Sequence, residues 1–394
     1  MPKQRRDRNR LWVQVAIVVR DQGKTSRAQI ARTLNESPST IGRIVEGLVE
    51  KGILLEIGSE PVTSAGRPAT ILQFNLLLGS VLTIDLRLTK AYVARTDMAG
   101  NVLARISRPL TIGDSTAATT ELLSLLHEML DQDGNLPPPC AIIVGAPSVV
   151  DPDTGIIEWA PSLGWRNLHL GHIINMEFHL PVHVENDVNL AALGEFWKGA
   201  GRGSQNMVFV SVGTGIGSGI ILNGNLYRGA SNAAGEVAYL VTDIHSLKDS
   251  AGHLGTLEMR AGREGIIRLA YLIALRYPAS ALSDLIKRRG SELRAQDVFT
   301  LAFEGDPAAQ VVFSETVDLL SIVIGNLSVV LDPEVMVLGG PTEWKWAHLV
   351  DAIRDRVGSS LLRTCDLYPS NLGRDAVALG GAYLAPNIEG VLKF

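Results

Sequence analysis

Apolar residues recur at helical spacing in three short runs near the start of the chain. Leu11 to Arg20 is apolar along most of its length and predicts a buried helix. Ser26 is placed to cap a second helix, whose apolar face is Ile30, Ala31 and Leu34. Ser37 and Pro38 open a third, the serine as cap and the proline at the first helical position. Along it Ile41, Ile44, Val45, Leu48 and Val49 repeat at i, i+3, i+4, i+7 and i+8 until Gly52 stops the helix. The period then changes. Ile53–Ile57 and Ala69–Asn75 read as extended segments around the turn-rich Gly58–Pro68.

Beyond Gly79 the pattern alternates between strands and helices. Ser80–Asp85, Lys90–Asp97 and Asn101–Pro109 predict strands, with Ala99-Gly100-Asn101 turning between the last two. Thr116–Asp131 predicts a helix, and Cys140–Gly145 a continuously apolar strand of the kind covered on both faces. A helix over Leu170–Glu177, a strand over Val182–Glu185 and a helix over Val188–Lys198 complete this set. A second set follows the same order. Met207–Val212 and Gly219–Leu222 are strands; Gly262–Leu275, Asp284–Arg289 and Pro307–Leu331 are helices. Val335–Leu338 is a short buried strand, Leu349–Ser359 a helix, Cys365–Pro369 a strand and Asp375–Leu384 a Gly-Ala-rich helix. Two strand-rich halves with interleaved helices imply an α/β body of two lobes with a ligand cleft.

Composition narrows the class. The chain has 394 residues, 46% hydrophobic and 20% charged, which suits a globular protein of two or three domains. Cys140 and Cys365 sit in no metal-ligand spacing and read as reduced thiols, which together with the absence of a secretory signal points to the cytoplasm. No apolar run approaches the roughly 18 residues that span a membrane. Charge is uneven: residues 1–75 carry a net +5 and the remainder a net −10. A basic head on an acidic body points to a polyanion partner for the head. Three short helices followed by a hairpin make residues 1–76 a winged helix-turn-helix, with residues 77–394 as the α/β body. Its third helix would enter the major groove of operator DNA with Ser39, Thr40 and Arg43 outward, and Arg67 at the wing tip suits a narrow minor groove. A small helical protein-interaction module is the plainer alternative.

The candidate chemistry lies between Glu185 and Glu258. Asn186 and Asp187, directly after a strand, can hold and deprotonate a hydroxyl, or can simply cap the helix from Val188. Gly213, Thr214, Gly215 and Gly217 form a glycine loop whose backbone N–H groups can approach an anion, or which can exist for packing alone. Glu236 and Glu258 are spaced acceptors suited to the hydroxyls of a polyol.

The order Glu185-Asn186-Asp187, Val212–Gly219, Gly235-Glu236, Leu257-Glu258 and Leu331-Asp332-Pro333-Glu334, running into Leu338-Gly339-Gly340, resembles the ROK family of repressors, open reading frames and sugar kinases. The resemblance covers nearly the whole chain and implies an actin-like ATPase, or ribonuclease-H-like, body behind the winged helix. It implies Asn186, Asp187, Glu236 and Glu258 as sugar contacts, with Asp187 the general base in a kinase. Two departures are informative. The family's kinases carry Asp-x-Gly-Gly-Thr where this chain has Asp85-Leu86-Arg87-Leu88-Thr89, so side chains stand where backbone would meet ATP phosphates. The family's zinc ligands, one His and three Cys, are replaced by Tyr239, Asp249, Ala251 and Thr256, so no metal is expected and Tyr239 joins the sugar contacts. The resulting expectation is a sugar-responsive regulator, a repressor that is not an enzyme. It needs no cofactor, binds operator DNA and a monosaccharide or small sugar derivative, and assembles as a homodimer or homotetramer. The alternative is an ATP-dependent sugar kinase with a DNA-binding head.

Overall fold

The computed structural model describes residues 3–59, 69–131, 134, 136–242, 256–341, 344–358 and 365–392, without the side chains of residues 3–9 and 256. The chain divides into two compact units, Met1–Asp187 with Gly381–Phe394, and Val188–Gly380.

The first unit begins with helix α1 (Lys3–Gln22), strand β1 (Lys24–Thr25), helices α2 (Arg27–Leu34) and α3 (Pro38–Glu50), and strands β2 (Leu54–Ser59) and β3 (Thr70–Phe74). Local chemistry sets these boundaries. The Gln29 carboxamide accepts the Ser26 N–H at 2.9 Å at the start of α2. Asn35, in the left-handed region at φ 54°, ends that helix. Ser37 Oγ accepts the Thr40 N–H at 3.1 Å with Pro38 opening α3, whose Ile41, Ile44, Val45 and Leu48 are buried. The three strands form an antiparallel sheet in the order β1-β3-β2. Arg20, wholly buried near the end of α1, donates to the carbonyls of Ala382 and Tyr383 at 3.2 and 3.4 Å. Its guanidinium also lies over the Tyr383 ring.

The same unit continues with β4 (Ser80–Arg87), β5 (Lys90–Asp97), β6 (Val102–Pro109), α4 (Ser115–Leu130), β7 (Pro139–Ala146), β8 (Val149–Asp151), β9 (Ile156–Ala160), β10 (Trp165–Leu168), α5 (Leu170–Phe178) and β11 (Val182–Asn186). Five strands form a mixed sheet in the order β11-β7-β4-β5-β6, parallel from β11 to β4 and antiparallel from β4 to β6. Its core is built from Leu82, Ile84, Ile142, Val144 and Val184 under Leu122, Leu126 and Ile174. The sequence pattern misses β8, β9 and β10, which form a separate antiparallel sheet in the order β10-β9-β8.

The second unit holds α6 (Asp187–Lys198) from its second residue onward. It continues with β12 (Met207–Val212), β13 (Ile216–Leu222), β14 (Asn225–Leu226), α7 (Thr256–Ala261), α8 (Arg263–Arg276), α9 (Ala281–Arg289), α10 (Ala295–Phe303), α11 (Pro307–Leu331), β15 (Val335–Gly339), α12 (Trp346–Val357), β16 (Asp366–Pro369) and the first half of α13 (Ala376–Leu384). Its sheet runs β14-β13-β12-β15-β16, with β12, β15 and β16 parallel and the other two antiparallel. Strand β13 starts three residues before the expected Gly219, so only residues 213–215 remain as the connecting turn. Gly217 and Gly219 are strand residues against α6: a Cβ on Gly219 would collide with Ala192, and one on Gly217 would lie 3.1 Å from Val188. Within α6, wholly buried Glu195 accepts the Ala200 N–H at 2.9 Å and the Ser370 hydroxyl at 2.5 Å.

Helix α11, 25 residues long, is apolar enough to span a membrane by length and composition, contrary to the expectation that no apolar run approaches that length. Asp306 caps it and Pro307 opens it. Val312, Val317, Leu320 and Ile324 bury it in the core of the second unit, which identifies a core helix.

Candidate functional site

In the first unit, the carboxyl ends of β4, β7 and β11 lie side by side, because parallel pairing sets Asp85 opposite Gly145 and Gly145 opposite Glu185. This edge is where open α/β sheets take ligands. Asn186 closes β11 and donates its amide to Ser148 O at 3.2 Å, while Asp187 is the first residue of α6. Near them stands Arg87. Its Nε and an NH2 group both reach Asp85 Oδ2, at 2.8 and 2.7 Å, and the guanidinium lies 5.0 Å over the Tyr92 ring. Burial works against its charge, but Asp85, Tyr92 and Asp187 outweigh burial and raise its pKa. Leu88 and Thr89 alone form the turn from β4 to β5, without a positive φ.

In the second unit, Glu236, Tyr239 and Glu258 form one electrostatic cluster. Gly235, at φ 91°, accepts both the N–H and the hydroxyl of Ser218 through its carbonyl. A Cβ there would strike the Ser218 carbonyl, so only glycine lets this segment dock on β13 and present Glu236. Glu258, in the first turn of α7, accepts the Ile216 N–H through Oε2 at 2.8 Å. That oxygen lies 2.8 Å from where a Cβ on Gly215 would stand. The glycine turn and Glu258 are thus one arrangement: the missing side chain admits the carboxylate that satisfies the strand's first N–H. Burial, then the Glu258 charge, raises the Glu236 pKa. Burial followed by Glu236 and Glu258 raises that of Tyr239.

In α3, Ser39 is exposed, and its hydroxyl lies 3.0 Å from Ser37 Oγ. Thr40 Oγ1 lies 2.8 Å from the same atom, so both hydroxyls join the helix cap. Arg43 is exposed one turn on. Arg67 and the zinc-equivalent positions Asp249 and Ala251 lie outside the described residues, as does the side chain of Thr256. Among the described residues no three His, Cys, Asp or Glu side chains gather as a metal site. The sequence reading missed two features. One is the bond between Glu258 and Ile216, which joins residues 42 positions apart. The other is Ser148 as partner of Asn186, for which the loop Gly145-Ala146-Pro147-Ser148 ending a buried strand was the available signal.

The chain belongs to the ROK family, whose family model matches residues 81–388. Among its relatives, the xylose repressor of Bacillus subtilis strain 168 is 27% identical over 360 residues, covering 90% of this chain and 89% of the repressor. A glucokinase of Halalkalibacterium halodurans is 36% identical over 255 residues, covering 64% of this chain and 77% of the enzyme. A solved ROK family transcriptional regulator, a homolog of the E. coli MLC protein, has the same fold with a TM-score of 0.81, covering 94% of each chain at 24% identity.

The glucokinase match corrects the expectation that this chain is not an enzyme. That expectation rested on Arg87 and Leu88 replacing glycines, and the geometry removes its force. The Arg87 side chain folds back onto Asp85, and the turn closes in two residues without glycine. Asp187, at the start of α6, and the turn over residues 213–215 remain in place.

Proposed function

We propose that the chain is a sugar-responsive transcriptional regulator, a repressor acting in the cytoplasm as a homodimer or homotetramer. Residues 1–76 act as a winged helix-turn-helix, with Ser39, Thr40, Arg43 and Arg67 directed at operator DNA. The body is an actin-like, sugar-kinase-type fold whose Asn186, Asp187, Glu236, Tyr239 and Glu258 take the hydroxyls of a monosaccharide or small sugar derivative. A pentose or hexose is the fitting size class. The supporting observation is the extent of likeness. The xylose repressor aligns along 90% of this chain, more than the family body alone occupies, whereas the glucokinase aligns along 64%.

As an effector, the sugar must favour one DNA-binding state over the other, and a coupling of about 1–3 kcal/mol changes DNA affinity roughly 5–150-fold. Fluorescence anisotropy of labelled upstream DNA, titrated with protein across a monosaccharide panel, tests this. A sugar-dependent change in affinity, lost in Glu236→Ala, supports the reading, and affinity indifferent to every sugar sinks it.

A second reading is favoured by Asp187 at the head of α6 and by the glucokinase likeness: the same body phosphorylates its sugar with ATP. Asp187 would then accept the proton of the attacking hydroxyl. ADP release coupled to sugar addition, abolished by Asp187→Ala, is the outcome that establishes it.

A further inference from the structure

The small sheet that the sequence pattern missed carries a groove used by neither reading above. Its centre is β9, paired antiparallel with β8 on one side and β10 on the other. The underside is fixed: Ile157, Ala160 and Trp165 are buried in the core of the first unit. The outer side is irregular. Trp159 pairs with Val149 and Ile157 with Val150, so Glu158 is the extra residue of a bulge. A bulge re-aims side chains, and here it leaves Glu158 and Trp159 both facing solvent in succession. Asp151, Ile156, Glu158, Trp159, Arg166 and Asn167 line a cavity of about 460 Å³.

The lining selects a ligand class by exclusion and by fit. Trp159 keeps 42% of its surface exposed, although the Arg166 guanidinium, from the residue paired with it, lies 4.7 Å over its ring. An anion would meet the carboxylates of Asp151 and Glu158. A simple cation would meet Arg166. A hydrocarbon chain would find only one indole and one isoleucine. A carbohydrate satisfies the whole lining. Its hydroxyls both donate and accept, matching a guanidinium and an amide on one hand and two carboxylates on the other. Its C–H face suits the rest of the indole, an amphipathic surface with an apolar body. The volume falls within the range of small-molecule sites and exceeds what one sugar ring fills. Asp151 is held rigidly, since its Oδ2 accepts the Thr154 hydroxyl at 2.7 Å and its Oδ1 the Asp153 N–H at 3.0 Å.

We propose that the groove over Trp159 is a second carbohydrate site, one that takes a short oligosaccharide and shares no residue with the effector set. It does not depend on the regulator or kinase reading.

The test is isothermal titration of the full chain with xylobiose, cellobiose and maltose, repeated with each of four variants. The expected result is binding in the millimolar range by at least one disaccharide. It should weaken at least about tenfold in Trp159→Ala and several-fold in Glu158→Gln, and remain unchanged in Glu236→Ala. Trp159 and Glu158 are exposed, so unaltered melting temperatures will show that both variants fold. Trp159→Phe, which keeps a ring, should retain part of the affinity. The proposal is overturned if no disaccharide binds the wild type, if binding survives Trp159→Ala, or if it is lost in Glu236→Ala. It is also overturned if Trp159→Ala changes the sedimentation coefficient without altering sugar binding, which would assign the face to another copy of the chain.

Discussion

The two five-stranded sheets share one topology, so β4 and β5 in the first unit stand where β12 and β13 stand in the second. The turns joining these equivalent pairs differ in kind. One is Leu88-Thr89, beside an arginine tied to its own strand's aspartate. The other is Gly213-Thr214-Gly215, whose last glycine leaves room for the Glu258 carboxylate, bonded to Ile216 from 42 residues away. A turn can therefore stand beside a local ion pair or be closed by a distant acceptor, and only in the second does a residue proposed to hold a ligand bond the main chain next to the turn. Substitution in the glycine turn should then reach the sugar strongly, and substitution at Arg87, whose link to Asp187 is electrostatic, only weakly.

The strongest test of this contrast is Gly215→Val. Its Cβ would crowd Glu258 Oε2 and free the Ile216 N–H. Overpacking of this kind should cost about 1–3 kcal/mol in chemical denaturation, with sugar affinity falling more than about tenfold in calorimetry. Glu258→Ala removes the acceptor without adding bulk. Leaving a half-buried donor unsatisfied should cost about 1–2 kcal/mol, read from the denaturation midpoint at constant slope. If both variants keep wild-type sugar affinity, the glycine turn is isolated from the ligand and the contrast fails.

A smaller effect is expected from pH. Burial and Glu258 raise the Glu236 pKa above its ordinary 4.5, so the folded chain binds this proton more tightly than the unfolded one. That contribution is complete below 4.5 and is lost as pH rises through the raised value. Glu236→Gln, neutral throughout, should therefore be more stable than wild type at pH 7, with the gap narrowing toward pH 4 in parallel denaturations. The smallest effect belongs to the other turn. Arg87→Ala removes a half-exposed guanidinium from the buried Asp85 carboxylate and should cost about 1 kcal/mol, changing sugar affinity by less than about threefold. A tenfold loss of sugar affinity in Arg87→Ala would erase the distinction between the turns.

What the sequence revealed follows the range of the interactions involved. Helix α3 was legible because its cap, its proline and its apolar stripe are all local. Strand β7 was legible because five consecutive apolar residues admit few alternatives. Glu236 and Glu258 could be singled out as spaced acceptors and through the family resemblance, but not the bond from Glu258 to Ile216, which only the folded chain brings about. Strand β13 was read three residues short because glycines at 217 and 219 argue against a strand, while close packing on α6 requires them there. The small sheet escaped because its strands are three to five residues long and a bulge breaks their alternation. The exclusion of catalysis failed for a related reason. Arg87 and Leu88 were judged by identity, while the path of the Arg87 side chain back to Asp85 is a matter of conformation.

Arg20 holds the front of the chain to its end through two main-chain oxygens. Any residue at 382 or 383 supplies a carbonyl, so these two bonds constrain the course of the last helix, while the ring under the guanidinium makes the Tyr383 side chain part of the fastening as well. A chimera that exchanges only the first 76 residues would lose the guanidinium and keep the two carbonyls that it bonds. Grafting a new head onto this body is in effect an operation on both termini.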